Sequence, residues 1–264
     1  MSSIIGEIAV LLSLGWDSLL PGTQVRGLSE KPIAGSASEE LRIYVGNSSC
    51  VSSPNCLVYD FVDVPKDKGR GYPAVNLPAA DGGWTVFSLC FMRESGKAGG
   101  ELRGRYELPG QGVNGAKRDW PFLWLAFDEM FSVRIEGQNR WQTIRVGSVL
   151  PHVWHRVQIA IPPCGTADAV GRVRLERMDA KGKFSVVASA NLPFGKLTLR
   201  RATSFDLTGS GPCKFFFDDL SLKERKIAKR FRGSGGKGKP PGVRMGMRHP
   251  RSPPEVTPER STTG

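Results

Sequence analysis

Short apolar runs between turn residues, with no helical period anywhere among them, constrain this chain more than any other feature. Roughly ten or more such runs succeed one another over about 180 residues; two stacked antiparallel sheets satisfy that pattern, whereas an α/β fold needs helical periods between its strands. Plentiful turn formers, Gly 32 and Pro 19, supply the punctuation. The reading is an all-β, two-sheet antiparallel jelly-roll β-sandwich over residues 41–222, with a lead-in over 1–40 and a disordered basic tail over 223–264.

Three stretches carry most of that reading. Trp84 to Met92 is apolar on both faces and predicts a central strand, followed by a second strand, Glu101 to Leu108, that alternates cleanly. Arg172 to Met178 and Phe184 to Ala188 flank Asp179-Ala180-Lys181-Gly182, a hairpin. Lys214 to Leu222 closes the domain with Phe216, Asp218, Leu220 and Leu222 on one parity and Phe215, Phe217, Asp219 and Ser221 on the other. A carboxylate among apolar side chains is costly to bury alone, so backbone N–H groups or a cation must meet Asp218 at a rim.

The formal charge of +12 belongs mostly to the tail. From Lys223 to Gly264, twelve basic residues stand against three acidic ones, a net +9 that leaves +3 for residues 1–222. Such a tail has too few apolar residues to fold and offers non-specific polyanion contact, with Ile227 and Phe231 one helical turn apart if its first part is helical. No segment is long and apolar enough for a transmembrane helix. Met1 to Leu14 lacks the basic start and cleavage site of a secretory signal, and reads as a first strand, a short helix or a damaged leader.

The residues with chemistry form no familiar catalytic set. Asp128 and Glu129 are adjacent, Glu176 and Asp179 are an odd step apart and Glu136 stands alone, so no pair points from one strand into one cleft. His152 and His155 also diverge on a strand and read as exposed or rim residues. Cys50 and Cys56 flank a five-residue loop and either bridge or remain thiols, while Cys90 is a buried thiol inside a strand. Trp120 and Trp141, near loops, are candidate stacking platforms for sugar rings, whereas Trp124 reads as core. Arg103 and Arg105, with Arg134, Arg172, Arg174 and Arg200, fall on polar parities and either line a cationic face for an acidic glycan or form a solvated surface.

Trp154-His-Arg-Val-Gln-Ile159, the hairpin after Arg172 and the ending Phe216-Phe-Asp-Asp-Leu-Ser-Leu222 together resemble the concanavalin A-like lectin/glucanase superfamily, in particular its laminin-G-like bacterial branch. The resemblance covers about residues 41–222 and implies two curved sheets, a carbohydrate or extracellular-polymer ligand, a structural calcium with Asp218 as its matching aspartate, and an extracellular or cell-surface location. The expected function is a non-catalytic binding module. Its alternatives are a glycan-degrading enzyme, hydrolase or lyase, with carboxylates drawn from different strands, and a structural protein tethered to a polyanion by its tail.

Overall fold

The computed structural model describes residues 8–14, 16–17, 20–22, 43–48, 50–52, 54–63, 74–77, 83–106, 118–136, 141–163, 166, 169–195 and 199–225. Every regular element among them is a strand: β1 (Ile8–Leu14), β2 (Ile43–Gly46), β3 (Cys56–Asp60), β4 (Ala74–Asn76), β5 (Trp84–Tyr106), β6 (Arg118–Phe127), β7 (Met130–Glu136), β8 (Trp141–Ser148), β9 (Trp154–Ile161), β10 (Ala169–Met178), β11 (Phe184–Gly195) and β12 (Leu199–Arg225). Among the described residues no helix is long and apolar enough to cross a membrane.

Two long strands build the sandwich. β5 and β12 pair antiparallel along most of their length, and each serves both layers. In the first layer the order is β11-β10-β9-β5-β12-β3-β2, with the end of β12 also pairing β1. In the second, the later half of β5 pairs β6, which leads to β7 and β8, while the early half of β12 pairs β4.

The passage between layers lies where the β5–β12 register shifts, between Ser210 and Phe215. Gly96 occupies this corner with φ 72°, and a Cβ there would stand 2.0 Å from the Pro212 carbonyl oxygen, so only glycine fits. Lys214 and Glu94 pair at 3.2 Å beside it.

Aromatic side chains close the gap between layers. Phe91 of the first lies 4.7 Å from Phe127 of the second, ring centre to ring centre; Phe87 lies 4.7 Å from Phe205, and Phe217 meets Phe127 edge-on at 5.8 Å. Burying each such ring contributes roughly 1.5–3 kcal/mol, so this seam supplies much of the force that holds the layers together.

The expected all-β antiparallel sandwich is the observed architecture, and its central strand and hairpin are where the pattern put them. Asp179 fixes the hairpin turn: its Oδ1 accepts the N–H groups of Lys181 and Lys183, both at 2.9 Å, and Gly182 takes φ 76°.

Other expectations need correction. Trp84–Met92 and Glu101 onward are one continuous strand, because the chain bends at Gly96 without leaving the ladder. Glu101, on the same parity of its strand as Arg103 and Arg105, is buried. Of the alternatives for Met1 to Leu14 the first strand is the one observed, since Ile8 pairs Arg225 and Leu14 pairs Leu220, and β12 itself extends to Arg225. By compactness the chain divides into Met1–Ala228 and Lys229–Gly264; the second unit, like the rest of the tail beyond Arg225, lies outside the described residues.

Candidate functional site

The cross-strand register arranges the outward face of the first layer in rows. Lys223, Val86, Ala160, Arg172 and Asn191 form one, and Ser221, Ser88, Gln158, Arg174 and Ser189 the next. Directly opposed residues share a face, so all ten project to the same side. Lys223, Arg172, Arg174, Asn191 and Ser189 are exposed, and the five between them are half-buried. The result is a floor of small or polar side chains bordered by cations. From β12 to β10 it spans three strand spacings, about 14 Å, and Arg172 and Arg174 stand about 7 Å apart along β10.

The next row closes the face. Asp218, Cys90, Arg156 and Glu176 continue the register, but Asp218, Cys90 and Glu176 are buried and Arg156 half-buried. The Arg156 guanidinium is held between the Glu176 carboxylate and the Phe184 ring, 4.5 Å from the ring centre. Glu176 is thus taken up by Arg156, and no acid in the two open rows offsets Arg172, Arg174 or Lys223.

Asp218 ends that row under the loop joining β2 to β3. Its Oδ2 accepts the Val51 N–H at 3.0 Å and the Ser52 N–H at 3.5 Å, and its Oδ1 accepts the Asp219 N–H at 2.9 Å. Burial raises its pKa, and these hydrogen bonds oppose the rise. The expected backbone partners are therefore present, although Asp218 is covered rather than at a rim. They do not fit calcium: three N–H dipoles aim their positive ends at the carboxylate, where a cation needs further oxygens. Among the described residues no group of three or more His, Cys, Asp or Glu side chains could hold a metal ion.

The second layer presents a different outward face. Asp206, Glu101, Trp124, Arg134 and Thr143 form its central row, with Arg103 on the same parity of β5 and Trp141 on that of β8. Arg103 is engaged: its Nε lies 2.8 Å from Asp206 Oδ2 and its Nη2 2.8 Å from Glu101 Oε2. Asp206 is 3% exposed and its Oδ1 has no hydrogen-bond partner among the described residues; burial raises its pKa, Arg103 lowers it and Glu101 raises it again.

Arg103 and Trp141 thus share a face but stand on β5 and β8, with β6 and β7 between them. Trp141 is 39% exposed and Trp124 half-buried, not fully core. Arg105 stands opposite Asp119, and Trp120 opposite Gly104; their side chains, like that of Arg200, lie outside the described residues. A local motif search misses the Glu101–Asp206 pair because its members come from different strands and meet only through pairing.

His155, expected at a rim, is buried beneath Phe91, whereas His152 is exposed. The structure gives His155 both ring partners, Val153 O at 2.8 Å from Nδ1 and the Leu150 N–H at 3.4 Å from Nε2. Burial lowers its pKa to about 4, so it stays neutral at ordinary pH.

No protein-family model and no curated protein matches the chain. Among solved structures it is similar to an endo-β-1,4-glucuronan lyase from the fungus Trichoderma reesei (11% identity, 70% of this chain and 87% of the other, TM-score 0.47). It is also similar to a PL-14 alginate lyase from Aplysia kurodai (15%, 81% and 98%, TM-score 0.48) and to a legume lectin-like domain from Entamoeba histolytica (11%, 66% and 85%, TM-score 0.40). At such identities and scores neither ligand nor chemistry transfers from those proteins to this one.

Proposed function

We propose that this chain is a non-catalytic binding module for carbohydrate or another extracellular polymer, and that its ligand is an acidic glycan lying across the outward face of the first layer. The observation that carries this reading is the open pair of rows in which Arg172, Arg174 and Lys223 border Gln158, Ser88 and Ser221. Guanidinium groups bind carboxylate or sulfate in two-pronged fashion, and amide and hydroxyl groups exchange hydrogen bonds with sugar hydroxyls. A sheet floor suits an extended chain because it is long, rigid and free of bulky side chains. The laminin-G-like branch and an extracellular location belong to the same proposal.

Affinity electrophoresis and calorimetry against a polyuronate, a sulfated glycan and a neutral glucan test it. Retention by the acidic polymers alone, lost when Arg172 and Arg174 are changed to Ala, supports the reading. Equal retention by the neutral glucan, or none at all, overturns it.

A glycan-degrading enzyme is the second reading, favoured by the opposed carboxylates Glu101 and Asp206 with a raised Asp206 pKa. Their burial and their shared Arg103 argue against it. Chain cleavage abolished in Asp206→Asn supports this reading; no cleavage of any polysaccharide removes it. Polyanion contact by the tail is a separate proposal, tested by heparin retention at low salt after deleting residues 226–264.

A further inference from the structure

The loop between β2 and β3 turns a thiol inward over a second one. Cys50 Sγ lies 3.3 Å from the Pro54 carbonyl oxygen and 3.8 Å from that of Gly46, and Gly46 stands directly opposite Cys56 in the ladder. The two sulfurs share the Ser48 carbonyl oxygen, which lies 4.0 Å from Cys50 Sγ and 3.7 Å from Cys56 Sγ. Cys50 is half-buried and Cys56 buried, and both are reduced.

The residues that follow Cys50 are those that hold Asp218. Val51 and Ser52 give their N–H groups to its carboxylate, and Ser52 Oγ donates to Asp219 Oδ1 at 2.6 Å. Whatever fixes Cys50 therefore fixes the cover over the closed end of the outward face.

We propose that Cys50 and Cys56 form a dithiol clasp, oxidised by a small-molecule disulfide to a bridge that locks the β2–β3 loop onto Asp218. The Cys50 thiolate, the more accessible, attacks one sulfur of the oxidant and expels the other half as a thiolate, giving a mixed disulfide. Cys56, deprotonated in turn, attacks the Cys50 sulfur, forms the intraloop bridge and expels the second thiolate. The two protein thiols lose two protons and two electrons, and the oxidant disulfide becomes two thiols. Burial pushes both thiols up, so the exchange quickens as pH rises through the alkaline range. Cys90 and Cys213 are buried in β5 and β12 and stay reduced.

The test uses the folded full chain with oxidised glutathione at pH 8.5, followed by alkylation, peptide mapping and hydrogen exchange. The clasp predicts a linked Cys50–Cys56 peptide, alkylatable Cys90 and Cys213, slower exchange at Val51 and Ser52, and a midpoint raised by roughly 5 °C. In Cys56→Ala the reaction stops at a glutathione adduct on Cys50. Oxidation that ends at that adduct in the unaltered chain overturns the proposal. So does a bridge that leaves exchange at Val51 and Ser52 unchanged. Neither result depends on whether a glycan binds.

Discussion

The Val51 N–H donates to Asp218 Oδ2 at 3.0 Å across 167 positions of chain, tying the β2–β3 loop to the closing strand. This bond and its neighbours from Ser52 and Asp219 let a carboxylate sit 1% exposed beside Phe216 and Leu220 with no salt-bridge partner among the described residues. They also place the loop at one end of the outward face, leaving the other end open.

Asp218→Ala leaves the Val51 and Asp219 N–H groups without their acceptor and should cost about 2–3 kcal/mol. Denaturant titration measures it. Because these donors face the carboxylate, added calcium should leave the thermal midpoint of the unaltered protein where it is, and a rise at millimolar calcium would contradict the hydrogen-bond assignment.

His155 gives the fold an acid limit. Its folded pKa of about 4 lies below the ordinary 6.5, so the unfolded chain binds a proton that the folded one refuses. The stability is complete above about pH 6.5 and falls as pH drops toward 4, by about 3 kcal/mol in all. In His155→Gln that part of the pH dependence should flatten, as read from midpoints between pH 4 and 7.

Phe127 bridges the layers through Phe91 and Phe217 and stacks on Phe131 within its own layer. Phe127→Ala should destabilise by about 3–5 kcal/mol, whereas Val186→Ala, at an exposed position of β11, should change stability by less than about 0.5 kcal/mol. Comparable losses at both positions would mean that the seam between layers is not where the core lies.

Much of the fold was legible because alternation survives in the local sequence. The parity of Phe215 and Phe217 against Phe216 and Asp218 marks a strand apolar on both sides, and Asp179 to Gly182 marks its turn directly. The bend at Gly96 was not legible: a strand that passes from one layer to the other keeps its pairing, and only a positive φ distinguishes the corner. His155 was misplaced because its spacing from His152 says which way a side chain points and nothing about what covers it. The candidate site was legible only in part. Arg172 and Arg174 fall on the polar parity of one strand, but Lys223, Ser221 and Gln158 join them only through the register of β12, β5, β9 and β10. The same register shows Arg103 occupied by two acids, one of them from β12.

Binding of an acidic polymer by the open rows is what the proposed function stands on. Its most direct measurement is calorimetric titration of the full chain with a polyuronate at several salt concentrations, beside the Arg172→Ala/Arg174→Ala variant. The variant should fold normally, bind at least tenfold more weakly and lose affinity less steeply with salt. Equal affinity and equal salt dependence in the two proteins would contradict it.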